Sequence, residues 1–287
     1  MTTTPLTPPP TSTPPTSTPP APGPAGPQRS APRVIAILTT ALGVAVVLGT
    51  IATSVVSTVA AGAGRFSDTR SLGVAGVTAI EVEAAAGDLS VVFGDVDEAT
   101  LHVTDTAAAW TFEVDDDTLR VETPRRTFFG WGWGGNGHAV LTLPDTLEGV
   151  DASFSLGAGG LDVDGTFGEL DLDLAAGELD VTGTADALDL RVGAGNADVT
   201  LRDVTEADLG LSAGDATVRL EGSAPREVSL EVSAGTFDLL LPDQEYAVRA
   251  DVSAGSLDTD DLRTNSSASR TITVDVSAGE ARIRPVS

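Results

Sequence analysis

Over the C-terminal three quarters of the chain, apolar and polar residues alternate with a period of two. From about Val77 onward, Val, Leu and Thr alternate with Asp, Glu and Arg, and no long stretch shows a helical period. Alternation of this kind is typical of β-strands that bury one face. It predicts an all-β domain over residues 77–287.

Eight copies of a ten-residue pattern recur in this domain, and each copy is named here after the glycine it shares with the others. Typical copies read LDLAAGELDV (172–181) and LEVSAGTFDL (230–239). From the second to the seventh copy the shared glycines are 18, 18, 19, 21 and 20 residues apart. A repeat of this length indicates stacked units. The shared glycines are Gly87, Gly159, Gly177, Gly195, Gly214, Gly235, Gly255 and Gly279.

Within each copy, the apolar positions require a corner at the glycine. In the Gly177 copy they are Leu172 and Leu174 before the glycine, and Leu179 and Val181 after it. Leu174 and Leu179 are five residues apart, so one continuous strand would place them on opposite faces. We therefore expect the glycines to form a bulge or corner with positive φ. The alanine that precedes every shared glycine is expected to lie inside the bend.

One unit of roughly 20 residues cannot bury its apolar face alone, whereas stacked units can. The repeat therefore predicts a parallel β-solenoid in which each copy pairs with the next. A meander that closes into a β-sandwich is the alternative, since glycine-rich turns at short intervals also suit that fold.

The N-terminal part of the chain divides into three segments. Residues 1–33 are rich in Pro and Thr and predict a disordered tail. Residues 34–62 carry no charge and are long enough for one transmembrane helix. This run is longer than the apolar core of a cleaved signal peptide. Residues 63–76 would link the helix to the β-domain.

The sequence gives little indication of which end of the predicted helix lies on the cytoplasmic side. Arg29 and Arg33 flank one end and Arg65 and Arg70 the other, so the positive-inside rule is nearly balanced. We expect a single-pass protein of the cell membrane, with the lipid bilayer as its partner through residues 34–62. The acidic β-domain is expected on the extracytoplasmic side.

Charge and cysteine content exclude several classes of function. The net charge is −26, and all 42 acidic residues follow the apolar run. Such a domain repels nucleic acid, so no nucleic-acid partner is expected. The chain has no cysteine, which excludes disulfides and thiolate metal sites within it.

The third position after the shared glycine is acidic in five copies. In a solenoid these carboxylates would stack about 4.8 Å apart on the outer face. A bound Ca²⁺ would relieve their repulsion, whereas solvent and neighbouring arginines would do so without metal. No other cofactor is expected. The candidate calcium residues are Asp162, Asp180, Asp198, Asp238 and Asp258.

A glycine-rich segment, RRTFFGWGWGGNGH (125–138), concentrates aromatic and basic residues. Exposed aromatics would form a contact surface, while a flap over the end of the solenoid would bury them. Both readings stay open. The candidate contact residues are Arg125, Arg126, Phe128, Phe129, Trp131 and Trp133.

The repeated Leu-x-Val-Ser-Ala-Gly-x-Leu-Asp-Val units resemble the DUF4097 family, the adhesin-like β-strand repeat proteins of bacterial envelopes. The segments VLTLP (140–144) and LLLPD (239–243) fit the same pattern. This resemblance covers the chain from about Val77 onward. It implies an adhesin-type module and no catalytic residues.

The repeat, the anchor and the lack of a convergent catalytic set predict a membrane-anchored, surface-displayed, non-enzymatic protein. Its partner would be cell-wall material or another envelope protein. One alternative is an envelope-stress sensor that signals through residues 1–33. The other is a polysaccharide-active β-helix enzyme, because parallel β-helices can carry Asp-based lyases and hydrolases. Paired carboxylates such as Asp171 and Asp173 are plentiful, but alternation places both on the solvent side of one strand.

Overall fold

Burial alternates along the strands as the sequence alternates. In the strand Glu227–Val232, for example, the side chains of Val228, Leu230 and Val232 are buried and those between them are not. The computed structural model describes residues 66–106, 110–123 and 137–286. In this part of the chain nearly all regular structure is strand, with one short 3₁₀ helix at Asp145–Leu147. The predicted all-β class is confirmed.

The described strands join in one sheet system. In chain order they are β1 (Phe66–Leu72), β2 (Ala79–Ala84), β3 (Gly87–Gly94), β4 (Ala99–Thr106), β5 (Thr111–Asp115), β6 (Thr118–Glu122), β7 (His138–Pro144), β8 (Asp151–Leu156), β9 (Gly159–Arg202), β10 (Glu206–Glu221), β11 (Glu227–Val232), β12 (Thr236–Leu241), β13 (Ala247–Val252), β14 (Ser256–Asp258), β15 (Thr271–Val276) and β16 (Glu280–Pro285).

Neighbouring copies pair in parallel, with equivalent residues side by side. Gly214 in β10 lies opposite Gly195 in β9, and the residues that follow continue in the same register into β12. Residues before and after each corner therefore form two parallel ladders. A meander sandwich would instead need antiparallel neighbours, and the described antiparallel pairs are confined to β1, β4, β5, β6 and β7.

The last two copies stack in reverse chain order. β15 and β16 of the Gly279 copy pair with β11 and β12 on one side and with β13 and β14 on the other. The expectation that each copy pairs with the next is therefore wrong at this point. Val274 and Val276 of the Gly279 copy are fully buried, whereas Val252 of the Gly255 copy is 39% exposed. By sequence the inner copy is the more apolar, with Ile272 and Val274 opposite Val248 and Ala250. Placing it between two neighbours buries more apolar surface than the reverse order would.

The shared glycines form the corners. Six of the eight have φ between 110° and 140°, and Gly255 and Gly279 lie outside the positive range. A Cβ on Gly195 would collide with the carbonyl oxygen of Gly177 in the neighbouring copy. The expectation for the preceding alanines is wrong, since Ala158 and Ala194 are exposed. At the corner the glycine is the residue that lies against the neighbouring copy, where a side chain would not fit. The alanine before it points outward.

Another level, without the repeat motif, stacks on the Gly87 copy. It consists of β6, which pairs with β2, and β7, which pairs with β3. The amide of Asp88 donates to the carbonyl of Gly137, directly before β7. Gly137 thus meets Gly87 much as the corner glycines meet one another.

The predicted tail (1–33) and transmembrane helix (34–62) lie outside the described residues, as do residues 63–65 of the predicted linker (63–76). The rest of that linker is described and includes β1 (Phe66–Leu72), which pairs with β4. Among the described residues, no helix is long and apolar enough to cross a membrane.

Candidate functional site

Each predicted calcium residue lies in one column on the outer face, here called the Asp column. The column does not follow chain order throughout. Thr217 pairs with Asp198 and with Asp238 and so separates them. Arg282 pairs with Asp238 and with Asp258. Asp162, Asp180 and Asp198 are neighbours in the column, because the glycines of their copies meet in turn. Asp238 and Asp258 are separated from this run and from each other.

Arginine neutralises part of the Asp column. Arg284 donates to Asp238 Oδ1 at 2.7 Å, and Arg282 lies 3.7 Å from Asp238 Oδ2. In the described part of the chain, no group of three or more His, Cys, Asp or Glu side chains is arranged to hold a metal ion. The calcium ladder stays a prediction.

The predicted contact residues lie outside the described residues. Only the attachment points of their segment are described. Thr123, after β6, donates its amide to the carbonyl of Glu83, and its hydroxyl accepts from the amide of Ala85. Gly137 lies against Gly87 at the other end. The two described residues that flank the segment, Thr123 and Gly137, therefore lie beside the corner of the Gly87 copy.

A second outward surface, on the other side of the corners, contains a groove of about 570 Å³. We call it the Gly210 groove, and the residues that define it are Asp173, Asp189, Arg191, Asp208, Gly210 and Glu231. It runs across β9, β10 and β11. Gly210 pairs with Arg191 on one side and with Glu231 on the other. Because Gly210 has no side chain, the surface between these two residues is hollow.

Asp189 is the most buried charged residue of the groove, with 5% of its surface exposed. Its Oδ2 accepts a 2.7 Å hydrogen bond from Nη2 of Arg191. Its Oδ1 is buried and has no hydrogen-bond partner among the residues that the structure describes. A buried carboxylate oxygen without a donor is costly, since it has lost water and gained nothing in return.

Arg191 neutralises Asp189 only in part. Its guanidinium also approaches Asp171 in the preceding copy, at 4.0 Å from Nη1 to Oδ1. One arginine therefore spans two stacked aspartates. On the other side Asp208 lies directly opposite Asp189 and forms no ion pair with any described residue.

Burial raises the pKa of Asp189, Arg191 opposes that effect, and the carboxylates of Asp171 and Asp208 add to it. Burial likewise raises the pKa of Asp171, again opposed by Arg191. The pKa of Glu169 is raised by burial and then by Asp151 and Asp171. This part of the outer face therefore has an excess of partly desolvated negative charge.

Sequence reasoning placed Asp171 and Asp173 on the solvent side of one strand but missed the groove. The signal was present in the aligned copies. The sixth position before the glycine is Asp in three successive copies, at Asp171, Asp189 and Asp208, and the fourth position changes from Arg191 to Gly210.

Comparison with solved structures gives several similar proteins of low identity. A candidate cell adhesion protein from Clostridium sporogenes is 12% identical, with 77% of this chain and 100% of that chain covered and a TM-score of 0.36. A candidate adhesin from Bacteroides fragilis is 15% identical, with 77% and 97% covered and a TM-score of 0.39. A candidate lipid-binding protein from Parabacteroides distasonis is 11% identical, with 75% and 96% covered and a TM-score of 0.34.

No curated protein matches the chain. The family model described as Toastrack DUF4097 matches residues 77–284. This match covers all eight glycine copies and most of the chain. The chain belongs to the Toastrack DUF4097 family.

Proposed function

We propose that this chain is a membrane-anchored, non-enzymatic module that displays a parallel β-solenoid on the cell surface for adhesion or envelope contact. The observation that carries the proposal is the outer face of the stack. Carboxylates recur there at equivalent positions of successive copies, as at Asp171, Asp189 and Asp208.

The stack suits a contact surface because its inner side is rigid. Leu190 and Leu209 lie side by side in adjacent copies and are fully buried. Burying a leucine stabilises the folded state by about 1.5–3 kcal/mol, and each inner copy does so against two neighbours. Charged groups on the outer face are thereby held at a fixed spacing, which favours a partner with matching charge.

The aromatic segment is the second element of the proposed contact surface. Its described flanking residues, Thr123 and Gly137, lie beside the corner of the Gly87 copy. Trp131 and Trp133 would supply apolar area, and Arg125 and Arg126 would bind anionic groups of the envelope.

Envelope binding tests the proposal. The purified full-length chain, kept in a neutral detergent, is mixed with sedimented cell-wall material and with extracted envelope proteins. We expect co-sedimentation with at least one fraction, reduced in a variant that carries both Trp131→Ala and Trp133→Ala. Absence of binding to every fraction would contradict an adhesive role, and turnover of a glycan substrate would indicate an enzyme instead.

A further inference from the structure

In the Gly210 groove, one position that carries an arginine in the preceding copy carries no side chain. Arg191, four residues before Gly195, spans Asp189 and Asp171. The equivalent position in the next copy is Gly210, four residues before Gly214. An arginine at that position would span Asp208 and Asp189 in the same manner. Two neighbouring carboxylates therefore recur in the next copy, at Asp189 and Asp208, but the arginine that would join them is absent.

No steric requirement accounts for the glycine. Gly210 does not have a positive φ, and an added Cβ would lie 3.7 Å from the carbonyl oxygen of Leu190 and 4.0 Å from Cγ of Arg191. These are ordinary van der Waals distances. Gly193, in contrast, could not accept a Cβ, which would lie 2.6 Å from the carbonyl oxygen of Ala175. Gly210 therefore leaves a space that a side chain could occupy.

The unfilled position lies next to the residue that carries the unsatisfied oxygen, since Gly210 follows Asp208, the strand partner of Asp189, by two residues. Asp189 lines the groove, and its buried Oδ1 accepts no hydrogen bond from a described residue. Asp208 lies beside it at strand spacing, about 4.8 Å. A planar guanidinium presents paired donors that can join two carboxylates, whereas an ammonium is a point charge. Glu231 and Asp173 add negative charge to the rim.

We propose that the Gly210 groove binds an arginine side chain from an extended basic segment of a partner protein, with Asp189 and Asp208 as its carboxylate ligands. The partner's guanidinium takes the place that Arg191 occupies one copy earlier. Gly193, Ser212 and Ser233 have small side chains or none and line the same groove, which leaves room for the backbone of the segment.

This site goes beyond the proposed function, because peptide binding in solution needs neither surface display nor the aromatic segment. The probe is a hexapeptide of alternating serine and arginine, titrated calorimetrically into the full-length chain in neutral detergent at physiological salt. The matched probe replaces arginine with lysine. We expect the arginine peptide to bind about fivefold more tightly than the lysine peptide, because the planar guanidinium holds its paired donors in a fixed geometry and is less strongly hydrated than an ammonium.

Three variants locate the site. Asp189→Asn should weaken binding of the arginine peptide by about tenfold or more, the scale of one lost charge-assisted contact. Gly210→Arg should abolish binding and raise the melting temperature, because the new side chain supplies the missing guanidinium internally. Gly210→Gln fills the groove without charge and should also weaken binding. Asp164→Asn removes the same charge from an exposed position of β9 outside the groove and should change affinity less than twofold.

Several results would overturn the assignment. One is the absence of binding by the unmodified protein. Another is an equal loss of affinity in Asp189→Asn and Asp164→Asn, which would indicate attraction to net charge alone. Equal affinity for both peptides would refute a guanidinium site. Far-ultraviolet circular dichroism of every variant shows whether the strands are retained, and Gly210→Gln with native strands and native affinity would also refute the site.

Discussion

Replacing Gly195 with alanine should destabilise the stack strongly, whereas the same change at Gly210 should not. Both glycines face an adjacent copy, and both changes add one methyl group. They differ in geometry. Gly195 has φ 140°, and its added Cβ would lie 2.9 Å from the carbonyl carbon and the amide nitrogen of Gly177, and closer still to the carbonyl oxygen. Gly210 lacks both constraints.

The magnitude follows from these two effects. Holding a non-glycine residue at such a φ costs about 1–3 kcal/mol. Moving the two copies apart to accept the methyl group would sacrifice at least one backbone hydrogen bond, and leaving its groups buried costs about 1–3 kcal/mol more. The free energy of unfolding should therefore fall by about 2–6 kcal/mol in Gly195→Ala. Gly210→Ala should be neutral or stabilising by up to about 1 kcal/mol, through the unfolded chain.

Thermal unfolding followed by circular dichroism measures the difference. For a domain of this size, 1 kcal/mol corresponds to about 2–4 °C, so Gly195→Ala should melt at least about 4 °C below the unmodified protein. Gly210→Ala is the matched control and should melt at or above the unmodified temperature. Similar melting temperatures for the two variants would refute the stacked-corner geometry.

Other outcomes follow from the charges and the aromatic segment. The pKa values of Glu169, Asp171 and Asp189 are raised, so the folded state binds these protons more tightly, and stability from these groups falls as pH rises. The melting temperature should be higher at pH 5 than at pH 7, with a smaller difference in Asp189→Asn; an unchanged difference would contradict this. Millimolar Ca²⁺ should raise the melting temperature no more than Mg²⁺ does if arginine and solvent neutralise the Asp column, and a selective calcium effect would favour the metal ladder. Trp131→Ala with Trp133→Ala should reduce envelope binding without changing the melting temperature, and a large drop in that temperature would indicate a buried flap.

The sequence predicted the features that depend on alternation and on spacing. Burial of Leu172 and Leu174 with Leu179 and Val181 required a corner at Gly177, and the structure has one. The buried face and the corner could both be deduced because they depend on local chain geometry, which the order of residues determines directly.

Features that depend on competition between copies could not be predicted in the same way. The Gly279 copy precedes the Gly255 copy in the stack because it buries more apolar surface, a comparison that the spacing of glycines does not encode. The Gly210 groove depends on which residue lies opposite Arg191 in the adjacent copy. This opposition of Gly210 and Arg191 is determined by the register in which β10 pairs with β9.

Display of the β-domain outside the membrane is the central functional claim, and cysteine labelling tests it most directly. The chain has no cysteine, so single substitutions give unambiguous sites. Ser266→Cys lies at an exposed position of the β-domain, and Ser17→Cys lies in the N-terminal tail. On intact cells, a membrane-impermeant maleimide should label Ser266→Cys at once and Ser17→Cys only after lysis. Labelling of the tail alone on intact cells would contradict the account.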